Sequence, residues 1–75
     1  MYLDELKVGN WAEIEEICDD CTCIKLIEMG CLPGEMVCVR MSAPFKGPIA
    51  IEVAGNLISL RKAEARNIRL KEPVL

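Results

Sequence analysis

The chain has no histidine. The side chain that most often moves protons near neutral pH is therefore missing, and Cys–His or Ser–His nucleophile pairs are excluded. Aromatics are scarce as well: one Trp, one Tyr and one Phe in 75 residues. A nucleic-acid binder calls for a basic surplus with aromatic stacking platforms, and a groove for proline-rich peptides calls for an aromatic lining. With three aromatics and a net charge of −3, neither class fits. No apolar run approaches the ~20 residues of a membrane span, so a membrane role has to come through a partner rather than by insertion. The opening Met1-Tyr2-Leu3-Asp4-Glu5-Leu6 lacks the basic-then-apolar pattern of an export signal, and the five cysteines are odd in number. Both point to a reducing, cytoplasmic setting rather than a disulfide framework. No glycine-rich phosphate loop is present either, since Gly30 and Gly34 flank Pro33 and neither precedes Lys or Ser. These absences predict a protein that is not an enzyme.

What is present suits one small domain spanning 1–75. A chain of this size buries only ~60% of the surface its unfolded form exposes, which leaves little room for a deep pocket beside a core. Of its residues 52% are hydrophobic and very few are aromatic, so aliphatic side chains have to fill the interior, as they do in a narrow barrel. The charge is uneven. Residues 1–35 carry −7 and residues 36–75 carry +4, which reads most simply as two halves attracting each other within one fold.

Along the chain, Leu3, Leu6 and Val8 are spaced apolar positions before a Gly9-Asn10 turn. Trp11 to Cys18 alternates until the doubled Glu15-Glu16, and placing Ile14 and Ile17 on one side predicts a bulge at 15–16. Thr22 to Gly30 reads as a short helix with a narrow polar stripe of Thr22, Lys25 and Glu28. Its other positions, Leu26 and Ile27 among them, are expected in the core. Asp19 or Asp20 is placed to cap its start and Gly30 to cap its end, with Pro33-Gly34 at the centre of a type II turn. Met36 to Ser42 is a strand with Val37, Val39 and Met41 on one face. The prolines of Ala43-Pro44-Phe45-Lys46-Gly47-Pro48 force that loop out of the sheet. Ile49 to Val53 and Leu57 to Leu60 form a hairpin around Gly55-Asn56. Helical turns follow at 61–67, with Ala65 and Ile68 on one side, and Ile68 to Lys71 forms a last strand. Five short strands, one buried helix and a terminal helical turn predict an all-β, SH3-like barrel, closed so that its edges are protected.

Three features carry chemistry. Cys18, Cys21 and Cys23, with Cys31 further on, are spaced so that three or four thiolates have the chance to share one Zn²⁺, Fe²⁺ or Cu⁺. The competing reading makes them small buried apolar residues. The carboxylates Glu13, Glu15, Glu16, Asp19 and Asp20 crowd one region and read as a solvated strand face and helix start. Phe45, set between two prolines, is either an exposed contact residue or a lid folded over the barrel end.

The run Lys25-Leu26-Ile27-Glu28-Met29-Gly30-Cys31-Leu32-Pro33-Gly34-Glu35 resembles the helix-and-turn segment of the FeoA family, ferrous iron transport protein A. Leu3, Leu6 and Gly9, then Ala43-Pro44 with Pro48, Ile49 and Ile51, and Leu60-Arg61-Lys62 with Ala65 and Ile68 follow at matching spacing, so the resemblance spans nearly the whole chain. The loop Phe45-Lys46-Gly47-Pro48 departs from the apolar-Gly-Asp-Pro commonly found there, and the cysteines are not a family-wide feature. The resemblance implies an SH3-like accessory or regulatory protein without a catalytic site, requiring no cofactor. Its partner would be the cytoplasmic GTPase part of a FeoB-type ferrous-iron transporter. The same fold resembles a domain of iron-dependent repressors, whose DNA-binding helices this chain has no room for. Contact residues are expected at Lys25, Met29, Leu32 and Pro33, at Pro44, Phe45 and Pro48, and at Arg61, with Gly30 and Gly34 shaping the turn. The alternative is a metal sensor or metallochaperone using Cys18, Cys21 and Cys23. Self-association is left open.

Overall fold

Ile49–Val53 shows the alternation of a strand with one face on the core: Ile49, Ile51 and Val53 point inward while Ala50 and Glu52 stay partly exposed. Around it the computed structural model describes residues 1–17, 20–45 and 47–71, with backbone only at 20–23. In chain order the elements are a 3-10 turn at Leu3–Glu5, β1 (Trp11–Ile17), α1 (Asp20–Glu28), β2 (Met36–Ser42), β3 (Ile49–Val53), β4 (Asn56–Leu60), α2 (Lys62–Ala65) and β5 (Ile68–Leu70). The strands form one antiparallel sheet in the order β4-β3-β2-β1-β5.

The sheet bends at β1. Trp11 to Glu13 pair with β2, whereas Ile14 to Ile17 pair with β5, and the register shifts between Ile14 and Glu16 where the bulge was expected. A bulged strand bends and twists more strongly, which wraps the sheet around one core of Leu3, Ile14, Leu26, Val37, Ile51, Val53, Leu60, Ile68 and Leu70, with smaller neighbours. The interior is aliphatic, and no buried polar or charged side chain sits among the described residues. The architecture is SH3-like, but closure is incomplete: among the described residues no ladder joins β4 to β5, which α2 connects along the chain.

Charge holds the layers together from outside. Lys71 meets Glu13 at 2.8 Å, Arg69 Nη2 meets Glu15 at 2.9 Å and Glu16 at 2.8 Å, and Arg66 faces Asp4 at 3.5 Å. Each pair joins a base of the second half to an acid of the first, so part of the uneven charge is neutralised within the fold. The carboxylate cluster at 13–16 is the ion-pairing face of β1.

Three expectations are corrected. The hairpin turns on Ala54 (φ +52°) and Gly55 (φ +80°), one residue earlier than Gly55-Asn56, because Val53 pairs with Asn56. A second bulge lies in β2, between Val39 and Met41. The extra residue, Arg40, carries Met41 to the outer face, where it is exposed rather than aligned with Val37 and Val39. Finally, α1 is not mostly buried. Leu26 is fully buried, but Ile27 is 40% exposed and Ile24 67% exposed. The strands already fill the interior, so the helix needs to insert only Leu26, with Met29 packed partly beside it. The cap expected of Asp19 or Asp20 lies outside the described side chains.

Candidate partner interface

The helix-and-turn segment is rigid for reasons visible in its backbone. Past the last turn of α1, Gly30 takes φ +99°. Its N–H donates to the Ile27 carbonyl at 3.0 Å and the Cys31 N–H to the Leu26 carbonyl at 2.9 Å. This nested pair satisfies the final carbonyls of the helix, and both ends of the longer bond, Leu26 and Cys31, belong to the core. Leu32-Pro33-Gly34-Glu35 then turns back, with the Glu35 N–H on the Leu32 carbonyl at 3.0 Å and Gly34 at φ +95°. The turn is tied to β1 twice. Gly34 N–H donates to the Ile14 carbonyl at 2.8 Å, and Ile14 N–H to the Glu35 carbonyl at 2.9 Å.

This frame presents Ile24 and Ile27, three residues apart and hence on one face of α1, followed by an exposed Leu32 and Pro33. Of the expected contact residues, Leu32 and Pro33 are exposed, Met29 is half-buried against the core, and Lys25 is exposed but paired with Glu64 of α2 at 3.1 Å. Glu64 also accepts the Arg61 N–H at 3.0 Å. That backbone bond and the Lys25 ammonium hold its carboxyl below the usual range, against the opposing effect of burial.

The loop forms a second, separate feature. Ala43 N–H donates to the Pro48 carbonyl at 3.0 Å and Gly47 N–H to the Pro44 carbonyl at 3.1 Å. At the tip Phe45 is 98% exposed with φ +56°, so the aromatic ring stands out and does not cap the barrel. Lys46 is outside the described residues. Gly47 is required for space, since a Cβ there would come within 2.6 Å of the Ala43 Cβ. The seven residues of β2 separate this loop from the helix-and-turn segment by roughly 20 Å along the strand. Pro48 and Arg61 do come together, lining a groove of about 320 Å³ with Lys62, Ala63 and Arg66.

The outer face of the sheet was not anticipated as a surface feature. The register places Trp11, Cys38, Glu52 and Leu57 in one cross-strand row, and Trp11, Met36, Met41 and Leu57 are exposed there. Arg40 ties the row together, donating to Glu52 at 2.7 and 2.9 Å with its guanidinium over Trp11. The β2 bulge, which no residue pattern announced, is what sends Met41 to this side.

Of the suspected thiol ligands, Cys18 lies outside the described residues, and Cys21 and Cys23 are seen only as backbone at the start of α1. Cys31 is in the core, where burial pushes its thiol up to about 11. Cys38 belongs to the outer row and is itself buried. Among the described residues no three Cys, Asp or Glu side chains gather in a way that would hold a metal ion, and no helix is long and apolar enough to cross a membrane.

The fold is an aliphatic SH3-like barrel with exposed apolar side chains on a helix, a loop and one sheet face. The chain belongs to the FeoA family, whose domain model matches residues 1–72, and so stands among ferrous-iron transport accessory proteins. It is similar to a FeoA-like protein of Clostridium acetobutylicum (30% identity, TM-score 0.86, covering 100% of this chain and 87% of the other). It is also similar to the FeoA of Stenotrophomonas maltophilia (29% identity, TM-score 0.84, covering 95% and 89%). That structure was solved with zinc, and the protein is described as a prokaryotic SH3 domain protein and a candidate activating factor of ferrous iron transport. A manganese-dependent transcriptional repressor shares the fold alone (17% identity, TM-score 0.82, covering 91% and 39%). A search of curated proteins finds no match.

Proposed function

We propose that the chain is a cytoplasmic, non-enzymatic accessory subunit of ferrous-iron uptake that binds the cytoplasmic GTPase part of a FeoB-type transporter through the helix-and-turn segment. The observation that carries this reading is the exposure of Ile24 and Ile27 on α1 beside Leu32. A chain of this size has little apolar surface to spare for burial, and yet it leaves two isoleucines of its longest helix in solvent. Clustered exposed apolar side chains on a rigid frame mark a contact surface. Pro33 and Met29 extend that surface, and Lys25 with Glu64 forms its polar margin. Phe45 with Pro44 is a second contact point at the other end of β2. Binding of such a rigid surface shifts a two-state partner toward whichever state fits it better.

The test is retrieval of the transporter's cytoplasmic domain by tagged protein after crosslinking. Retrieval by the wild type, lost in Ile24→Glu/Ile27→Glu, supports the reading; no retrieval by the wild type ends it.

A further inference from the structure

The two edges of the sheet are treated differently. The outer side of β5 is covered, because Tyr2 bridges to Arg69 and the Leu70 N–H donates to the Met1 carbonyl at 2.8 Å. At the other edge, among the described residues, β4 has a ladder to β3 alone. Natural edges are guarded with charge, proline or a bulge. Asn56-Leu57-Ile58-Ser59-Leu60 has no charge and no proline, and its five pairs with β3 run without a register shift. Leu57 on this strand is 68% exposed.

The chemistry changes where β4 ends. Arg61 follows Leu60 directly, and Arg61, Lys62 and Arg66 line the groove with Pro48 and Ala63. Arg66 faces Asp4, whereas Arg61 and Lys62 make no salt bridge among the described residues. A neutral, unguarded strand therefore runs into two adjacent cations, of which Arg61 also helps to hold the Glu64 carboxyl down.

We infer that β4 and this groove together receive one extended segment of a partner protein, which adds as a further strand and sets its carboxylates on Arg61 and Lys62. This inference rests on the accessory-protein reading and adds a further contact to it. Every ladder in the sheet is antiparallel, and antiparallel pairing is the more stable form. The incoming strand therefore runs opposite to β4, so its first residues lie at the Arg61 end. The segment reads acidic first, then alternating β-formers. Main-chain bonds to β4 supply affinity in such strand addition, and side-chain positions supply selectivity. Charge complementarity also selects this occupant over a second copy of the chain. Two β4 strands paired antiparallel about Ile58 would set Gly55 and Ala54 of one copy opposite Arg61 and Lys62 of the other, with no carboxylate in reach.

The probe is a synthetic peptide of two glutamates followed by five alternating threonines and valines, titrated into ¹⁵N-labelled full-length chain. The expected result is amide shifts confined to Asn56 through Lys62. Affinity falls by about tenfold or more, a change of ~1.4 kcal/mol, when the glutamates are replaced by lysines. It falls similarly in Leu57→Lys, which puts a guarding charge on an exposed site and leaves the circular dichroism unchanged. Arg61→Ala/Lys62→Ala removes the preference for glutamate over lysine. The inference is overturned by absence of shifts at millimolar peptide, by equal binding of both peptides, or by full binding to Leu57→Lys. A dimer in sedimentation that Leu57→Lys dissolves also overturns it, since the edge then belongs to a second copy. Retrieval of the transporter domain separates the two readings. If the wild type retrieves it and Leu57→Lys does so equally, only the strand-addition inference falls; if the wild type retrieves none, the accessory reading falls itself.

Discussion

The Arg40 guanidinium carbon lies 5.4 Å from the centre of the Trp11 ring. Both residues flank Cys38, which pairs with Trp11 on one side and with Glu52, the hydrogen-bond acceptor of Arg40, on the other. The three side chains form a roof over a thiol that is fully buried although it sits on the outer face of its strand. Arg40→Ala is therefore expected to speed maleimide labelling of Cys38 several-fold in the native protein, read by peptide mapping, while labelling of Cys31 stays unchanged. Equal rates at Cys38 in variant and wild type would show that the roof does not shield it.

Cys31 gives a contrasting result. It sits in the core with its thiol raised to about 11 by burial, and the thiolate is the reactive form. At pH 8 in native conditions it should resist alkylation, then react at the rate of an ordinary thiol once denaturant unfolds the chain. Native labelling at that full rate would contradict its placement.

The Lys25–Glu64 pair sets a pH dependence. The carboxyl of Glu64 is depressed in the folded chain, chiefly by the Arg61 N–H and then by Lys25. A depressed carboxylate contributes stability that is fully present above its ordinary value of 4.5 and is lost as pH falls through the folded value. Urea midpoints measured from pH 6 down to pH 3 should fall more steeply for the wild type than for Glu64→Gln. Parallel curves would remove Glu64 from the account.

Ala54 occupies the left-handed region at φ +52° immediately before Gly55. Asn tolerates that conformation and Asn-Gly is the favoured pair for a two-residue hairpin. Ala54→Asn should stabilise the protein by about 0.5–1 kcal/mol, a gain of several degrees in thermal midpoint for a domain this small. A loss of stability would mean that the turn is held by something other than its own dihedrals.

Much of this was legible in the residues. The alternation of Ile49 to Val53 marks its strand, the doubled Glu15-Glu16 marks the β1 bulge, and Gly30 with Pro33-Gly34 specifies the end of the helix and the turn after it. The hidden features have physical reasons. The β2 bulge at Arg40 has no local signal, because its partners lie on β3, and it reverses the face of Met41. The hairpin slipped by one residue because Asn56 looks as well suited to positive φ as Ala54 looks unsuited. Ile24 and Ile27 read as core because periodicity reports which positions are apolar, not whether anything remains for them to cover. That surplus is the signal of the proposed interface, and it becomes visible only once the strands are seen to fill the barrel.

The account turns on whether that surplus is used. Ile24→Glu/Ile27→Glu changes two solvent-exposed positions, so its unfolding free energy should stay within about 0.5 kcal/mol per site of the wild type. The decisive measurement is the amount of the transporter's cytoplasmic domain retrieved by this folded variant relative to wild type. The account predicts a drop of about tenfold or more, the effect of losing ~1.4 kcal/mol of contact. Undiminished retrieval would contradict it.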